Sequence, residues 1–298
     1  MKKLVIAGIT RGNEYSPNHI GNDAAIFNET VSHLQQAGYK INIYTEEEFL
    51  KNEITEHVIF NMVRNKESIA KLKKLEDNGS LVINSGYGID NCTRERMTTL
   101  LINNKIPHPQ SLIVNTNEDI APFLDNDTYT PCWIKRGDFH AIHREDVSYV
   151  RNKEEANEIL HEYSIRGIKR AVINQHLNGD LIKFYGIANS DFFYWFYPYD
   201  MKHSKFGLEK INGEAHGYKF DQQELKSICN KASQVLNIKI YGGDCIVDQN
   251  GTMRIIDFND WPSFAPCRTE AAPFISQCIL NEIALYEFKL VNRTLKLI

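Results

Sequence analysis

The chain has 298 residues, of which 42% are hydrophobic and 24% charged, and its formal net charge is −4. A chain of this length can bury two or three cores, and its composition excludes an intrinsically disordered or fibrous protein. The acidic balance argues against nucleic acid as a partner, because phosphate backbones are held mainly by excess lysine and arginine.

The first residues predict a strand rather than a targeting signal. The apolar run from Leu4 to Ile9 is short and is followed by Thr10 and Arg11, without a small-residue cleavage site. No stretch approaches the roughly 20 apolar residues that cross a bilayer, so we expect no membrane partner. Six scattered cysteines without a C-x-x-C pair favour reduced thiols and a cytoplasmic location.

Residues 1–87 predict an N-terminal α/β domain. Buried strands and amphipathic helices alternate along this segment, which favours a parallel sheet covered by helices. The predicted strands are 4–9, 40–44, 57–62 and 81–84, and the predicted helices include 24–34 and 68–75.

The pattern changes after a predicted helix at 93–104, which is stopped by Pro107 and Pro109. Strands and helices are then mixed, which predicts two α+β subdomains at 88–173 and 174–298. The predicted strands are 111–114, 132–135, 147–150, 171–176, 181–187 and 191–197, and the predicted helices are 154–163, 225–236 and 270–289. A polar segment at 201–220, which contains three glycines, predicts a mobile loop.

Two acidic residues lie on the adjacent strands of a predicted hairpin near the C-terminus. Asp244 and Asp257 flank a turn at 248–251, and Asn259 follows on the second strand. Mg²⁺ is bound by one or two carboxylates together with water and phosphate oxygens, so these side chains are candidate ligands for nucleotide-bound metal. The alternative is a solvent-facing hairpin whose side chains only stabilise turns.

These motifs and the order of elements resemble the ATP-grasp superfamily over nearly the whole chain. Members such as D-alanyl-D-alanine ligases and ribosomal-protein glutamate ligases usually carry G-x-D on one strand and E-x-N-x-x-P on the next. Here 242–244 reads Gly-Gly-Asp, and 257–262 reads Asp-Phe-Asn-Asp-Trp-Pro, with Asp257 in place of glutamate. The resemblance implies an N-terminal parallel-sheet pre-ATP-grasp domain, a two-subdomain ATP-grasp fold, and ATP with Mg²⁺, or Mn²⁺ in its place.

The resemblance also implies cations that bind the nucleotide phosphates. Lys135 lies on a predicted buried strand, where an ammonium group beside apolar neighbours needs an anion, although a lysine reaching solvent is the alternative. Lys183 stands where relatives place a second phosphate-binding cation. On the preceding helix either Arg94 or Arg96 would face the phosphates, since arginine offers two directed donors.

Residues between the two subdomains would bind the rest of the nucleotide. By the same resemblance, Gln175, His176 and Leu177 would meet the adenine edge, and Asp180 would accept a ribose hydroxyl. The loop at 137–143 has a single glycine where the family has several. Its two histidines, at 140 and 143, would contact either phosphate or the second substrate.

Arg268 follows the metal motif and would hold either a substrate carboxylate or the transferring phosphoryl group, which makes it a catalytic candidate together with Lys135. The resemblance implies a ligase that joins a carboxylate to an amine or thiol through an acyl phosphate. Its partners would be small-molecule or peptide acids and amines, and a homodimer is left open. A small-molecule kinase and a non-catalytic nucleotide-binding protein are the alternatives.

Overall fold

The computed structural model describes residues 4–15, 20–118, 120, 129–139, 144–198, 211 and 213–295. Within these residues there are three sheets of four strands each. One sheet is parallel and two are antiparallel, so the expected combination of α/β and α+β parts is confirmed.

The N-terminal domain is built on the parallel sheet, whose strand order is β2-β1-β3-β4. The strands are β1 (Val5–Ile9), β2 (Lys40–Tyr44), β3 (Val58–Asn61) and β4 (Leu81–Ile83). The helices are α1 (Ile20–Gln36), α2 (Glu46–Lys51), α3 (Lys66–Asp77) and α4 (Gly86–Asn91). The two short helices α2 and α4 were not predicted, and each begins at a side-chain cap, Thr45 and Ser85 respectively.

The middle sheet is antiparallel and has the strand order β5-β8-β6-β7. Its strands are β5 (Ser111–Asn115), β6 (Cys132–Arg136), β7 (Val147–Val150) and β8 (Arg170–Gln175), and helices α5 (Arg94–Asn103) and α6 (Lys153–Ile165) accompany it. Cys132 and Ile134 are buried in the same cluster as Leu160 of α6. Because strand side chains alternate, Trp133 and Lys135 lie on the opposite face.

The C-terminal sheet is antiparallel with the strand order β10-β9-β11-β12. Its strands are β9 (Asp180–Ile187), β10 (Phe193–Phe196), β11 (Ile240–Val247) and β12 (Met253–Asp260), and its helices are α7 (Gln222–Leu236) and α8 (Arg268–Leu295). The expected boundary at residue 173 falls inside β8, so the break between the two subdomains lies instead in the link at 176–179.

Asn84 fastens the N-terminal domain to the C-terminal sheet. Its amide nitrogen donates to Ile240 O at 2.8 Å, and its amide oxygen accepts from the backbone nitrogens of Lys239 and Ile240 at 2.9 and 3.0 Å. The residue is 1% exposed. One side chain therefore satisfies the backbone at the start of β11 as a neighbouring strand would.

The cores follow the same division. Two hydrophobic clusters contain residues of both the N-terminal domain and the C-terminal sheet, for example Ile59 with Phe258, and Phe60 with Trp261. The middle sheet has a core of its own. All six cysteines are buried and none forms a disulfide. Among the described helices, none combines the length and apolar character that a membrane crossing requires.

Replacing Asn84 with alanine should lower the free energy of unfolding by about 2–4 kcal/mol, because three buried hydrogen bonds are lost and backbone groups of β11 are left without partners. Urea denaturation measures this change. Asn103→Ala, at an exposed position of α5, is the matched control and should change it by less than about 0.5 kcal/mol. Equal stabilities of the two variants would contradict the docking role.

Candidate active site

Three oxygen-bearing side chains lie on one face of the β11–β12 hairpin. Asp244 is directly opposite Asp257 in the antiparallel ladder. Asn259 stands two residues beyond Asp257, so its side chain points to the same face. A bulge after Asp244 interrupts the ladder. The hairpin thus gathers two carboxylates and an amide at one place, as its sequence predicted.

Arg94, the first residue of α5, forms a two-pronged ion pair with Asp257. Nη1 lies 2.6 Å from Oδ1, and Nη2 donates to Oδ2 at 2.9 Å. Arg94 is 8% exposed, whereas the side chain of Arg96 is 55% exposed and pairs with Asp90. The structure therefore places Arg94, and not Arg96, at the hairpin.

The charge state of Asp257 follows from its neighbours. Burial alone would raise the pKa of this carboxyl, but the Arg94 and Lys135 cations and a hydrogen bond from Asn259 outweigh burial and hold the pKa below its ordinary value. Asp257 is therefore ionised at neutral pH, as a metal ligand must be.

Lys135 projects from β6 towards the same hairpin. Its Nζ donates to Ile256 O at 3.1 Å, which is the carbonyl beside the bulge. Burial, with a smaller contribution from Arg94, lowers the pKa of Lys135 to about 7, although Asp257 and Asp244 act in the opposite direction. A lysine held at 7% exposure next to a neutral carbonyl is poised to gain a proton when an anion arrives.

Lys183 completes the set of cations. It lies opposite Asp244 in the β9–β11 ladder, and its Nζ is 2.9 Å from Asp244 Oδ1. The predicted residues Arg94, Lys135 and Lys183 are therefore brought together with Asp244 and Asp257, from four strands and one helix.

The link after β8 borders an aromatic cluster. Trp133 Nε1 donates to His176 Nδ1 at 3.1 Å, and the Tyr149 ring lies 5.2 Å from that of Trp133 and 5.1 Å from that of His176. Gln175 and Leu177 flank the histidine and are half-buried. Trp133 and Tyr149 were not predicted as site residues. The signal available was the two-residue spacing of Trp133 from Lys135, which puts both on one face.

Asp180 does not suit the predicted ribose contact. It is 2% exposed, and its carboxylate accepts from the backbone nitrogens of His216 and Tyr218 at 2.7 and 2.8 Å. The period of two along β9 puts its side chain on the face opposite Lys183. Asp180 therefore anchors the segment after residue 213 rather than facing the nucleotide site.

His108 was also missed by the sequence reasoning. Its Nδ1 donates to Ile255 O at 2.6 Å, while Ile255 N donates to Pro107 O at 2.9 Å. Burial, followed by the nearby Lys135 charge, lowers the pKa of His108 to about 4. It is a neutral residue at pH 7 that joins the linker to β12, and no pattern in the sequence indicates this contact.

Arg268 is placed away from these groups. It begins α8, and its Nη2 donates to Asn22 Oδ1 in α1 at 2.9 Å. It therefore faces the N-terminal domain rather than the carboxylates of the hairpin. The two loop histidines at 140 and 143 lie outside the described residues, as do 201–210 and 212 of the predicted mobile loop.

The donor set fits Mg²⁺ carried by a nucleotide. Among the described residues, no group of three His, Cys, Asp or Glu side chains is arranged to hold a metal unaided. Two facing carboxylates and an amide are the protein contribution that Mg²⁺ needs when phosphate oxygens and water supply the rest. Asp244, Asp257 and Asn259 therefore remain suitable ligands.

The order of helices and strands and the three sheets are similar to those of solved ATP-grasp structures, so the fold is of the ATP-grasp type. Similar solved structures include a D-alanine–D-alanine ligase from Bacillus anthracis complexed with ATP, with a TM-score of 0.66, 14% identity, and coverage of 98% of this chain and 100% of that chain. The D-alanine–D-alanine ligase from Coxiella burnetii is similar with a TM-score of 0.69 and 13% identity, and the match covers 99% of this chain and 100% of that chain.

The ATP-grasp ligase PsnB, complexed with a minimal precursor, is similar with a TM-score of 0.61, 14% identity, and coverage of 94% of this chain and 99% of that chain. No protein-family model matches the chain, and no curated protein matches it by sequence. At these identities the likeness concerns the fold.

Removing the Arg94 charge should let metal bind without nucleotide, because Asp257 is then released from its ion pair. For Arg94→Met we expect Mn²⁺ affinity, measured by electron paramagnetic resonance in the absence of ATP, to rise by about tenfold. Arg96→Met is the control and should leave it unchanged. The same Mn²⁺ affinity in wild type and Arg94→Met would show that the ion pair does not compete with metal.

Nucleotide binding should take up a proton at Lys135. Because its pKa in the free protein is about 7 and a phosphate raises it, close to one proton should be absorbed on binding at pH 8, and affinity should fall as pH rises above 7. Calorimetry in buffers of different ionisation enthalpy measures this uptake. Lys135→Arg should abolish it, and uptake that persists in this variant would assign the proton to another group.

Proposed function

We propose that the protein is a MgATP-dependent ligase that joins a carboxylate to an amine or thiol through an acyl phosphate. The observation that carries this proposal is the convergence of Arg94, Lys135 and Lys183 on Asp244 and Asp257 in the cleft between the two antiparallel sheets. Three cations and two carboxylates around one point match the charges of a triphosphate with a divalent metal.

The nucleotide would lie with its base at the link between the subdomains. Backbone and side chains of 175–177 are suited to the adenine edge, and Trp133, with Tyr149 beside it, offers an apolar surface for the ring face. Lys135, two residues from Trp133 on the same face of β6, would then contact the phosphates. The distance between neighbouring same-face residues, about 7 Å, suits the step from nucleoside to phosphate.

Asp244, Asp257 and Asn259 would hold Mg²⁺, or Mn²⁺, on the phosphate oxygens. When bound, the metal neutralises charge that develops during phosphoryl transfer. Arg94 and Lys183 would exchange their carboxylate partners for phosphate oxygens, while the carboxylates would bind the metal. The cations and the carboxylates would therefore each still face a group of opposite charge. Asp257 is one methylene shorter than the glutamate that the resemblance predicts at this position.

The proposed reaction needs no side-chain nucleophile. A carboxylate oxygen of the acid attacks the γ-phosphorus, the bond from that phosphorus to the β,γ-bridging oxygen breaks, and ADP leaves. The amine nitrogen then attacks the acyl carbon, phosphate leaves with the carbon–oxygen bond electrons, and the amine releases a proton. The residues of the site contribute by positioning and by charge stabilisation.

Arg268, beside α1, would meet a substrate rather than the phosphates. The unpaired cysteines suit the proposed cytoplasmic location.

Asp257→Asn should reduce ADP release by about 100-fold or more, because a metal ligand and a partner of Arg94 are both weakened. The assay supplies MgATP with a panel of amino acids and short peptides as acids and amines. Asp191→Asn, at an exposed position, is the control and should retain full turnover.

The products distinguish the proposal from its alternatives. A ligase releases free phosphate in step with formation of the amide or thioester. Transfer of phosphate to a hydroxyl, without its release, would identify a kinase instead. Binding of MgATP without turnover across the whole panel would contradict both and would leave a nucleotide-binding protein.

A further inference from the structure

A second charged region lies where the N-terminal sheet meets the end of β12. In the sheet order β2-β1-β3-β4, β2 is added on one side of β1 and β3 on the other, so the strand order reverses between β1 and β3. Open α/β sheets bind ligands outside the carboxyl ends of the strands at such a point. Arg11 follows β1 and Arg64 follows β3 at this crevice. Arg64 contacts Asp260 and Arg11 contacts Trp261, the two residues that come directly after the candidate metal ligand Asn259.

All three guanidinium nitrogens of Arg11 have acceptors within the protein. Its Nε donates to Met62 O at 3.1 Å, its Nη2 donates to Trp261 O at 2.8 Å, and its Nη1 pairs with Asp23 at 3.0 Å. Each guanidinium nitrogen has an acceptor. Arg11 therefore ties the loops after β1 and β3 to the end of β12.

Arg64 is used only in part. Its Nη2 lies 2.8 Å from Asp260 Oδ1 and 3.1 Å from Asp260 O. Its Nε is buried and has no acceptor among the described residues, and the same holds for Nε1 of Trp261, which is 0% exposed. Buried polar groups without a partner are rare and call for an explanation such as an unseen ligand. Both of these groups are donors, so a ligand that reached either of them would have to supply an acceptor.

The ion-pair partner of Arg64, Asp260, directly follows the candidate metal ligand Asn259 in β12. Phe139, just after β6, has its ring 6.0 Å from that of Tyr15 and 5.5 Å from Lys66 Nζ. The start of the loop after β6 therefore contacts the N-terminal domain close to Arg64 in sequence.

We infer that Arg64 is the residue that selects an acid by binding its carboxylate beside the phosphates. This inference rests on the proposed ligase function. A carboxylate brought next to a triphosphate is repelled, and a nearby cation with directed donors removes that repulsion. Arginine carries five N–H donors, so Arg64 can keep Asp260 on Nη2 while Nε and the remaining donors receive the substrate.

The test uses full-length protein with Mg²⁺ and the non-hydrolysable analogue AMP-PNP. Saturation-transfer NMR then measures binding of glycine, L-alanine, L-glutamate and L-alanyl-L-glutamate, each compared with its carboxamide. Wild type should bind at least one acid in preference to its amide. Arg64→Gln should weaken acid binding by about tenfold and remove this preference, while AMP-PNP affinity stays within about twofold. Arg64→Lys should retain part of the preference.

Arg11→Lys is the matched control, because all three guanidinium nitrogens of Arg11 already have acceptors within the protein. It should lower the melting temperature without altering the preference for acid. A preference that survives in Arg64→Gln, or binding of no acid by a protein that holds MgAMP-PNP, would overturn the role of Arg64 and leave the nucleotide site standing. Failure to bind MgAMP-PNP would overturn the proposed function itself.

Discussion

The ion pair between Arg94 and Asp257 is the interaction on which the site depends. It joins the first turn of α5 to the middle of β12 through two short contacts, and both partners are largely buried. Removing one partner of such a pair leaves a buried charge uncompensated, which typically costs about 3–5 kcal/mol. The pair therefore both fixes the linker helix against the C-terminal sheet and keeps the carboxylate ionised.

The same strand collects polar contacts from every other part of the protein. Residues 255–261 accept hydrogen bonds or ion pairs from four side chains. These are His108 in the segment 104–110, Lys135 of the middle sheet, and Arg64 and Arg11 of the N-terminal domain. β12 is an edge strand of its sheet, and its outer edge at Ile255 is covered by the linker at Pro107 and His108. The exposed edge of β12 could otherwise pair with a strand of another chain, and here it bonds to the segment that carries Pro107 and His108.

Periodicity and motif spacing predicted the parts of the site that depend on local structure. Asp244, Asp257 and Asn259 come together through hairpin register, and Lys135 shares their cleft because its strand has one buried face. Asp180 was assigned wrongly because a shift of one residue along a strand moves a side chain to the other face. Arg94 and Arg96 are two apart on a helix and point in different directions, so only the docking of α5 decides between them. His108, Arg64 and Arg268 contact residues that are distant in sequence, and no local sequence pattern predicts such contacts.

The hydrogen bonds of Asn84 to the start of β11 join the N-terminal domain to the C-terminal sheet, and two shared hydrophobic cores reinforce this connection. The middle sheet has its own core and is joined to the rest through the chain segments at 104–110 and 176–179. In the proposed enzyme, a nucleotide would enter and leave by movement of the middle sheet, which carries Lys135, while Asp244, Asp257 and Arg64 belong to the joined N-terminal and C-terminal parts. The metal ligands and the proposed acid site would thus keep their spacing before and after a nucleotide binds.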